Sequence, residues 1–554
     1  VPVNFSRTVD SGTALPNELK LPFKFRTSYI FRVGMERNMG EKNTVRVGYF
    51  YDHSPVKDIS VGPLFPDSSR SNLTIGASHI MGNKEFSMFY QAMWVLERTT
   101  DVSENNKVFT NGTYSSFVHL LGMGMRIRLG EGLAAGMGSF SLSQGVQEKS
   151  YPAQMAAQMG TLLVQPVIQP PGIGNVPGIT ALPPRIPGIL QTTVRRQGNG
   201  QFPLFVTNLS VPGLHLAEAI SRRPKLPLIY RNDSLQTSIN LILGFPALVI
   251  QTDGQNVPLW SQIEYAQNMF PTLALVELGY YDVLEAAVNG DLTLLPDVTT
   301  FRTNYSQIVS SLRRQFADVI VSTIPDPMTT AYFSAVLEAT RTLRTQPFII
   351  LGLYDVTLSD YLTIPGVNEI SLQFLDRKIQ PLSAGSVLRR ATADAISARV
   401  KALNAVISEI AQQNGAVVHD MYGLFSRVDS QGISVSGRAL TSDYLGGFYL
   451  MNGYYPGITG HALIANDVLD TLNRQFGTNF QHVDPTGLLA SDPAANSVPV
   501  YQLGPEFALD DLLPGLIING SPVSAETVTR LRSLAPPASN SKKTDKSFPR
   551  GISR

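Results

Sequence analysis

Hydrolysis by a side-chain nucleophile needs a hydroxyl or thiol beside a base, and the sequence limits where such a pair can lie. No cysteine occurs among the 554 residues, so thiolate chemistry, Cys-ligated metals and disulfide frameworks are excluded. A serine is weak at its own pKa and depends on an adjacent general base. Of the seven histidines, none shows the His-x-x-x-His spacing with a nearby acid that a zinc site uses. His215 lies just after Gly213, His419 precedes Asp420, and His461 falls in a turn before an apolar helical pattern. Each reads more readily as a structural histidine than as a base. Glu277 and Asp282 flank Gly279-Tyr280-Tyr281, but nothing in the spacing pairs them as acid and base. They read as solvated or capping carboxylates.

The elements that must position any such site follow from hydrophobic periodicity. Beyond residue 130, short apolar runs alternate with helical patterns, which predicts βαβ units around a parallel sheet. The candidate buried strands are 133–138, 205–209, 273–278, 319–323 and 416–420. The clearest helix spans about 391–413, with Ile396, Val400, Leu403, Val406, Ile407 and Ile410 on one face and Gly415 as its stop. Further helices follow Asn304 and Pro456. Residues 166–200, dense in Pro and Gly, read as an extended surface insertion.

Four segments of this region, in order, resemble the motif blocks of the SGNH/GDSL esterase–lipase family. They are Gly138-Ser139-Phe140-Ser141-Leu142-Ser143-Gln144-Gly145, Asn208-Leu209-Ser210-Val211-Pro212-Gly213, Gly279-Tyr280-Tyr281-Asp282, and Asn452-Gly453-Tyr454-Tyr455-Pro456. Ser150-Tyr151-Pro152-Ala153-Gln154, Ile324-Pro325-Asp326 and Gly446-Gly447-Phe448 add to the likeness, which spans residues 131–480. It implies a three-layer, flavodoxin-like α/β fold. It also implies a nucleophile at Ser141, at the end of the first strand, and an oxyanion Gly at Gly213. The family's oxyanion Asn, its Asp and its His fall on Tyr281, Asn452 and Tyr455. A phenol that stays protonated at neutral pH thus replaces the base, and an amide replaces the carboxylate. The backbone of Gly213 and of the Ser141 turn leaves a partial oxyanion hole. Tyr281, Tyr454 and Tyr455 are expected to fill the former cleft, and no metal or cofactor is implied.

The first 130 residues alternate apolar and polar along long strands. Phe25, Thr27, Tyr29, Phe31, Val33 and Met35 share one face, opposite Lys24, Arg26, Ser28, Arg32 and Glu36. Val45–Tyr51, Leu73–Ala77, Phe86–Leu96 and Phe117–Leu129 repeat the pattern, joined by alternately short and long connections. That is the signature of transmembrane β-strands, with a soluble sheet wet on one face as the alternative. Tyr51-Asp52-His53-Ser54-Pro55-Val56, then Phe65-Pro66-Asp67 and Arg70, resemble the C-terminal part of the long-chain fatty-acid outer-membrane transporter family. That resemblance implies a partial outer-membrane β-barrel over 1–130. Five strands do not close a barrel, so a protein partner is expected to supply the rest.

The expected order is therefore a partial barrel (1–130), an α/β domain without its family's usual catalytic set (131–480), an irregular extension (481–534) and a disordered basic tail (535–554). A net charge of +1 gives no case for nucleic acid. Val1 opens without a signal-peptide pattern, as in a processed chain. The leading expectation is a non-catalytic scaffold or adaptor in the bacterial outer membrane, its α/β domain periplasmic and its barrel strands against lipid. Two alternatives stay open: an envelope esterase or lipase using Ser141, and a domain that binds an acyl or glycan group without turnover.

Overall fold

The computed structural model describes residues 26–39, 43–58, 67–81, 84–100, 112–123, 126–161, 163–168, 170, 172–173, 194–195, 206–230, 233–244, 259–496 and 507–535. Most of the Pro- and Gly-rich stretch 166–200, and the basic tail beyond Ala535, lie outside them. The chain divides into two compact units: Val1–Met125 with Gly160–Leu162, and Arg126–Met159 with Leu163–Arg554.

The first unit is a five-stranded antiparallel sheet in chain order: β1 (Ile30–Asn38), β2 (Asn43–Asp52), β3 (Arg70–Met81), β4 (Lys84–Thr100) and β5 (Gly112–Met123). Its register places the sequence's apolar positions on one face. Val33 pairs with Tyr49, Tyr49 with Leu73, and Trp94 with Phe117. All five of these side chains are exposed, so this apolar face is uncovered; Ile30 and Phe89, on the opposite face, are exposed as well. The other face carries polar contacts: Gln91 to Asn72 at 2.8 Å, and Arg46 to Glu36 at 2.6 Å. β1 and β5 are the edges, and among the described residues neither pairs on its outer side.

The second unit is built on a parallel sheet of β6 (Arg126–Gly130), β7 (Leu273–Glu277), β8 (Asp318–Ser322) and β9 (Val417–His419). Segment 207–211 extends it on the free side of β6, through Arg128 N–H to Thr207 O (2.8 Å) and Leu209 N–H to Arg128 O (2.9 Å). In chain order the strands therefore lie 2-1-3-4-5, the flavodoxin-like doubly wound arrangement. Strands β6, β7 and β8 are buried in all but their first residue, as parallel strands covered on both faces must be.

The helices that bear on the site are α1 (Gly132–Ala135), α2 (Tyr151–Gln158), α3 (Leu216–Ser221), α4 (Gln262–Asn268), α5 (Tyr280–Asn289), α6 (Val298–Arg314), α7 (Arg390–Asn414), α8 (Met421–Gln431) and α9 (Ile458–Phe476). α6 packs on α7, and α2 on α9. The 391–413 periodicity and its Gly415 stop give α7, with Gly415 left-handed as a C-cap.

Three sequence expectations are corrected. The first strand of the α/β unit is Arg126–Gly130, not 133–138; Leu133 lies in α1. The alternation from Phe117 to Leu129, read as one strand, is two: β5 pairs with β4, and β6 pairs in parallel with β7. A period of two is common to both kinds of strand, so the pattern runs through their boundary, and the division falls at Met125 rather than 130. The stretch 481–534 is not irregular throughout. Leu512 and Leu516 share a buried core with Ile349, Phe374 and Ile379, and Leu531 is buried on the helix Ala525–Leu534.

Candidate functional site

In a doubly wound sheet, ligands meet the carboxyl ends of the strands where the winding reverses, here between β6 and β7. Both strands deliver a buried carboxylate to that point: Glu131 directly after β6, and Glu277 as the last residue of β7. Glu131 accepts from the N–H groups of Gly132 and Leu133 (3.0 Å to the latter), at the start of α1. Glu277 accepts from Ala134 N–H at 3.1 Å. The two carboxyl groups also share a hydrogen bond.

Burial pushes Glu131 up to about 7, against the lowering pull of those backbone N–H groups. Glu277 is raised well above the usual carboxylate range, first by burial and then by the charge of Glu131. Two carboxyl groups this close do not both ionise readily, so the pair retains a proton at neutral pH. Spacing gave no hint of it, because the partners lie on strands far apart in the chain.

Above the pair stands a tyrosine cluster. Tyr455 Oη donates to Glu131 at 3.2 Å, and a Cβ built on Gly132 would overlap the Tyr455 phenol. Only glycine fits there. Tyr280, Tyr454 and Tyr455 are all buried, with Tyr454 and Tyr455 edge to face at 5.0 Å. Asn452 organises this turn from below. Its Oδ1 accepts from Tyr454 N–H (3.1 Å) and Tyr455 N–H (2.9 Å), and its Nδ2 donates to Gly138 O at 3.0 Å. Tyr281 lies against Gly213, whose Cβ position is 3.6 Å from the ring and whose φ is +79°.

Gly213, Tyr281, Asn452 and Tyr455 thus gather around the carboxyl ends of β6 and β7. Ser141 does not occupy the place expected of it. The first strand ends at Gly130, so the positions that follow it are Glu131 and Gly132, which carry no hydroxyl. Ser141 lies further on, in the turn closed by Gly138 N–H to Ser141 O (3.1 Å), with its Oγ against Gly172. The displacement follows from placing the strand several residues too late. The signal that locates it is the apolar pair Ile127 and Leu129 running into Gly130.

His215, His461 and His419 are all engaged. His215 bridges Asp282 (3.5 Å) and Glu285 (3.2 Å). Burial works against its charge, but the Asp282 contact and the other carboxylates carry it up to about 9. Asp282 is buried and caps α3 through Leu216 N–H at 3.0 Å. His461, inside the first turn of α9, is held neutral by burial, down to about 3, and accepts from Tyr151 N–H at 3.2 Å. His419 links Ser322 Oγ (3.2 Å) to Asp467 (2.9 Å), a chain of the Ser-His-Asp type. Ser322 and His419 are both buried, which closes that chain to substrate.

No protein-family model matches the chain, and no curated protein matches it. Among solved structures, TesA overlays at 11% identity and a TM-score of 0.28, over 63% of this chain and 98% of that one. The esterase EstA from Pseudoalteromonas sp. gives 11% and 0.26, over 64% and 99%. Phospholipase A1 from Streptomyces albidoflavus NA297 gives 14% and 0.26, over 64% and 99%. Overlaps this loose leave the fold to rest on strand order and pairing.

Proposed function

We propose that the α/β unit is a non-catalytic scaffold or adaptor attached to outer-membrane barrel strands, a structural component of a cell-envelope assembly. One observation carries the non-catalytic part: the phenol of Tyr455 occupies the space above Gly132, at the switch point where a nucleophile would stand. A protonated phenol is no base at neutral pH, and burial raises the Tyr455 hydroxyl well above even its ordinary value. A side chain at the nucleophile position would collide with it.

The membrane part is supported by the uncovered apolar face of β1–β5 and the polar contacts on the opposite face. Open edges are not tolerated in lipid, so this reading requires β1 and β5 to pair with further strands, which we assign to a partner chain. The outer membrane is then the location, with the α/β unit on its periplasmic side.

The catalytic question is tested by hydrolysis of short and medium p-nitrophenyl esters by the wild type and by Ser141→Ala. The expected result is no serine-dependent turnover; activity lost in the variant would restore the esterase reading on acyl substrates. Purification as a stable monomer without detergent or partner would overturn the membrane reading.

A further inference from the structure

Two helices of the α/β unit end in the same uncommon way. α4 closes at Met269 and α6 at Gln315, and the next residue of each is a phenylalanine with left-handed backbone: Phe270 at φ 46° and Phe316 at φ 63°. Phe316 N–H reaches Arg313 O (2.9 Å) and Ala317 N–H reaches Leu312 O (3.3 Å), a helix end that glycine ordinarily occupies. A Cβ disfavours that conformation. Neither ring offsets the strain by packing. At 72% and 93% exposure, Phe270 and Phe316 are the two most exposed large apolar side chains among the described residues.

The two lie at one end of the same sheet. α4 leads into β7 and α6 into β8, and Leu273 pairs with Asp318. Both phenylalanines therefore sit at the amino ends of adjacent parallel strands, opposite the Glu131–Glu277 end. That end also carries an exposed cation. Arg126 opens β6 across from Leu273, and Arg314 closes α6 exposed to solvent. Arg313 is held within the fold by Asp318 at 3.4 Å and by the carbonyls of Ala317 (2.7 Å) and Asn414 (2.9 Å). In the sequence only Gly124 and Met125 separate β5 from Arg126.

We propose that this end of the sheet rests on a phospholipid bilayer, with Phe270 and Phe316 in the boundary between headgroups and acyl chains and Arg314 on a headgroup phosphate. Exposed aromatics beside an arginine suit that boundary: the rings leave water while the guanidinium group stays with phosphate. The chain's arrival at Arg126 directly from an apolar-faced strand selects a bilayer over a distant partner. The inference rests on the membrane reading of β1–β5.

The absence of cysteine allows a clean test. Full-length single-cysteine variants Phe270→Cys, Phe316→Cys, Val33→Cys and Leu375→Cys, extracted together with the proteins that accompany the chain and reconstituted with them in phosphatidylcholine–phosphatidylglycerol vesicles, carry a nitroxide label. Collision with oxygen is compared with collision with a water-soluble nickel chelate. Val33 reports on the apolar sheet face, and Leu375, exposed on the helix Ile364–Asp376, is the aqueous reference. The expected oxygen-to-nickel ratio at 270 and 316 is about threefold or more above that at 375. Labels at 270 and 316 that match 375 while 33 lies in lipid overturn this inference and leave the membrane reading intact. Shielding of 270 and 316 from both reagents points to a protein partner and also overturns it. An aqueous signal at 33 overturns the membrane reading and the inference with it.

Discussion

The phenol of Tyr455 reaches Glu131 across 3.2 Å and, in doing so, covers Gly132. Two residues far apart in the chain are thereby fitted to each other. The glycine has no side chain because the tyrosine fills its place, and the tyrosine is anchored because the carboxyl group beneath it accepts a hydrogen bond from its hydroxyl.

That fit predicts strong coupling between positions 132 and 455. Gly132→Ala should destabilise the α/β unit by roughly 2 kcal/mol through overpacking. Tyr455→Leu should cost about 2–4 kcal/mol as a cavity. In the double variant the new methyl group occupies vacated space, so the two losses should fall short of additivity by at least about 1 kcal/mol. Thermal unfolding followed in the near-ultraviolet tyrosine signal measures all three; strict additivity would refute the contact.

The Glu131–Glu277 pair predicts a particular pH dependence. Glu131 rises from 4.5 to about 7 on folding, so the folded state holds the proton more tightly. The stability this contributes is fully present below about pH 4.5 and is lost as pH rises through about 7. Glu277→Gln keeps the shape and removes one ionisation. Relative to wild type, the variant should gain stability steadily as pH rises from about 4.5 to about 8, because the unfolded wild type ionises Glu277 while the folded state keeps it protonated. Denaturant titrations at a series of pH values give that difference directly.

The histidines should titrate far apart. Proton NMR of the imidazole C–H signals should show His215 charged at neutral pH and losing its proton near 9, while His461 stays neutral down to about 3. The signs for stability are opposite. The contribution of His215 is complete below its unfolded value of 6.5 and fades as pH rises through 9; that of His461 is complete above 6.5 and falls on acidification. A His461 resonance that moves between pH 5 and 7 would place that ring in water.

Phe316→Gly should stabilise the isolated fold. The backbone there is left-handed and the ring is exposed, so glycine removes strain and sacrifices no packing, a gain of roughly 0.5–1 kcal/mol. A rise in the thermal midpoint in detergent, by circular dichroism, checks it.

Much of this architecture was legible from periodicity. Ile396 to Ile410 gave α7 almost to its ends, and the apolar runs at 273–278 and 319–323 gave β7 and β8. Alternation placed Val33, Tyr49 and Trp94 on a common face. The start of the α/β sheet was not legible in the same way. Ile127 and Leu129 continue an alternation begun in the antiparallel strands, and the intervening Arg128, which is wholly buried, reads as a solvent-facing residue. That one ambiguity moved the first strand downstream and carried the nucleophile assignment to Ser141. Tyr281 lies against Gly213 and Tyr455 against Glu131, with Asn452 holding the Tyr455 turn. The Glu131–Glu277 pair needed the fold, because only parallel pairing brings Gly130 beside Glu277.

The buried core that joins Ile349, Phe374 and Ile379 to Leu512 and Leu516 has a consequence for how the molecule is made. Its first half leaves the ribosome long before its last strands and helix do. Those early apolar residues must remain open, or be held by a chaperone, until the final part of the chain arrives. A stop codon upstream of Leu512 would therefore do more than shorten the protein. It would leave a half-core permanently exposed and hand the product to proteolysis or aggregation.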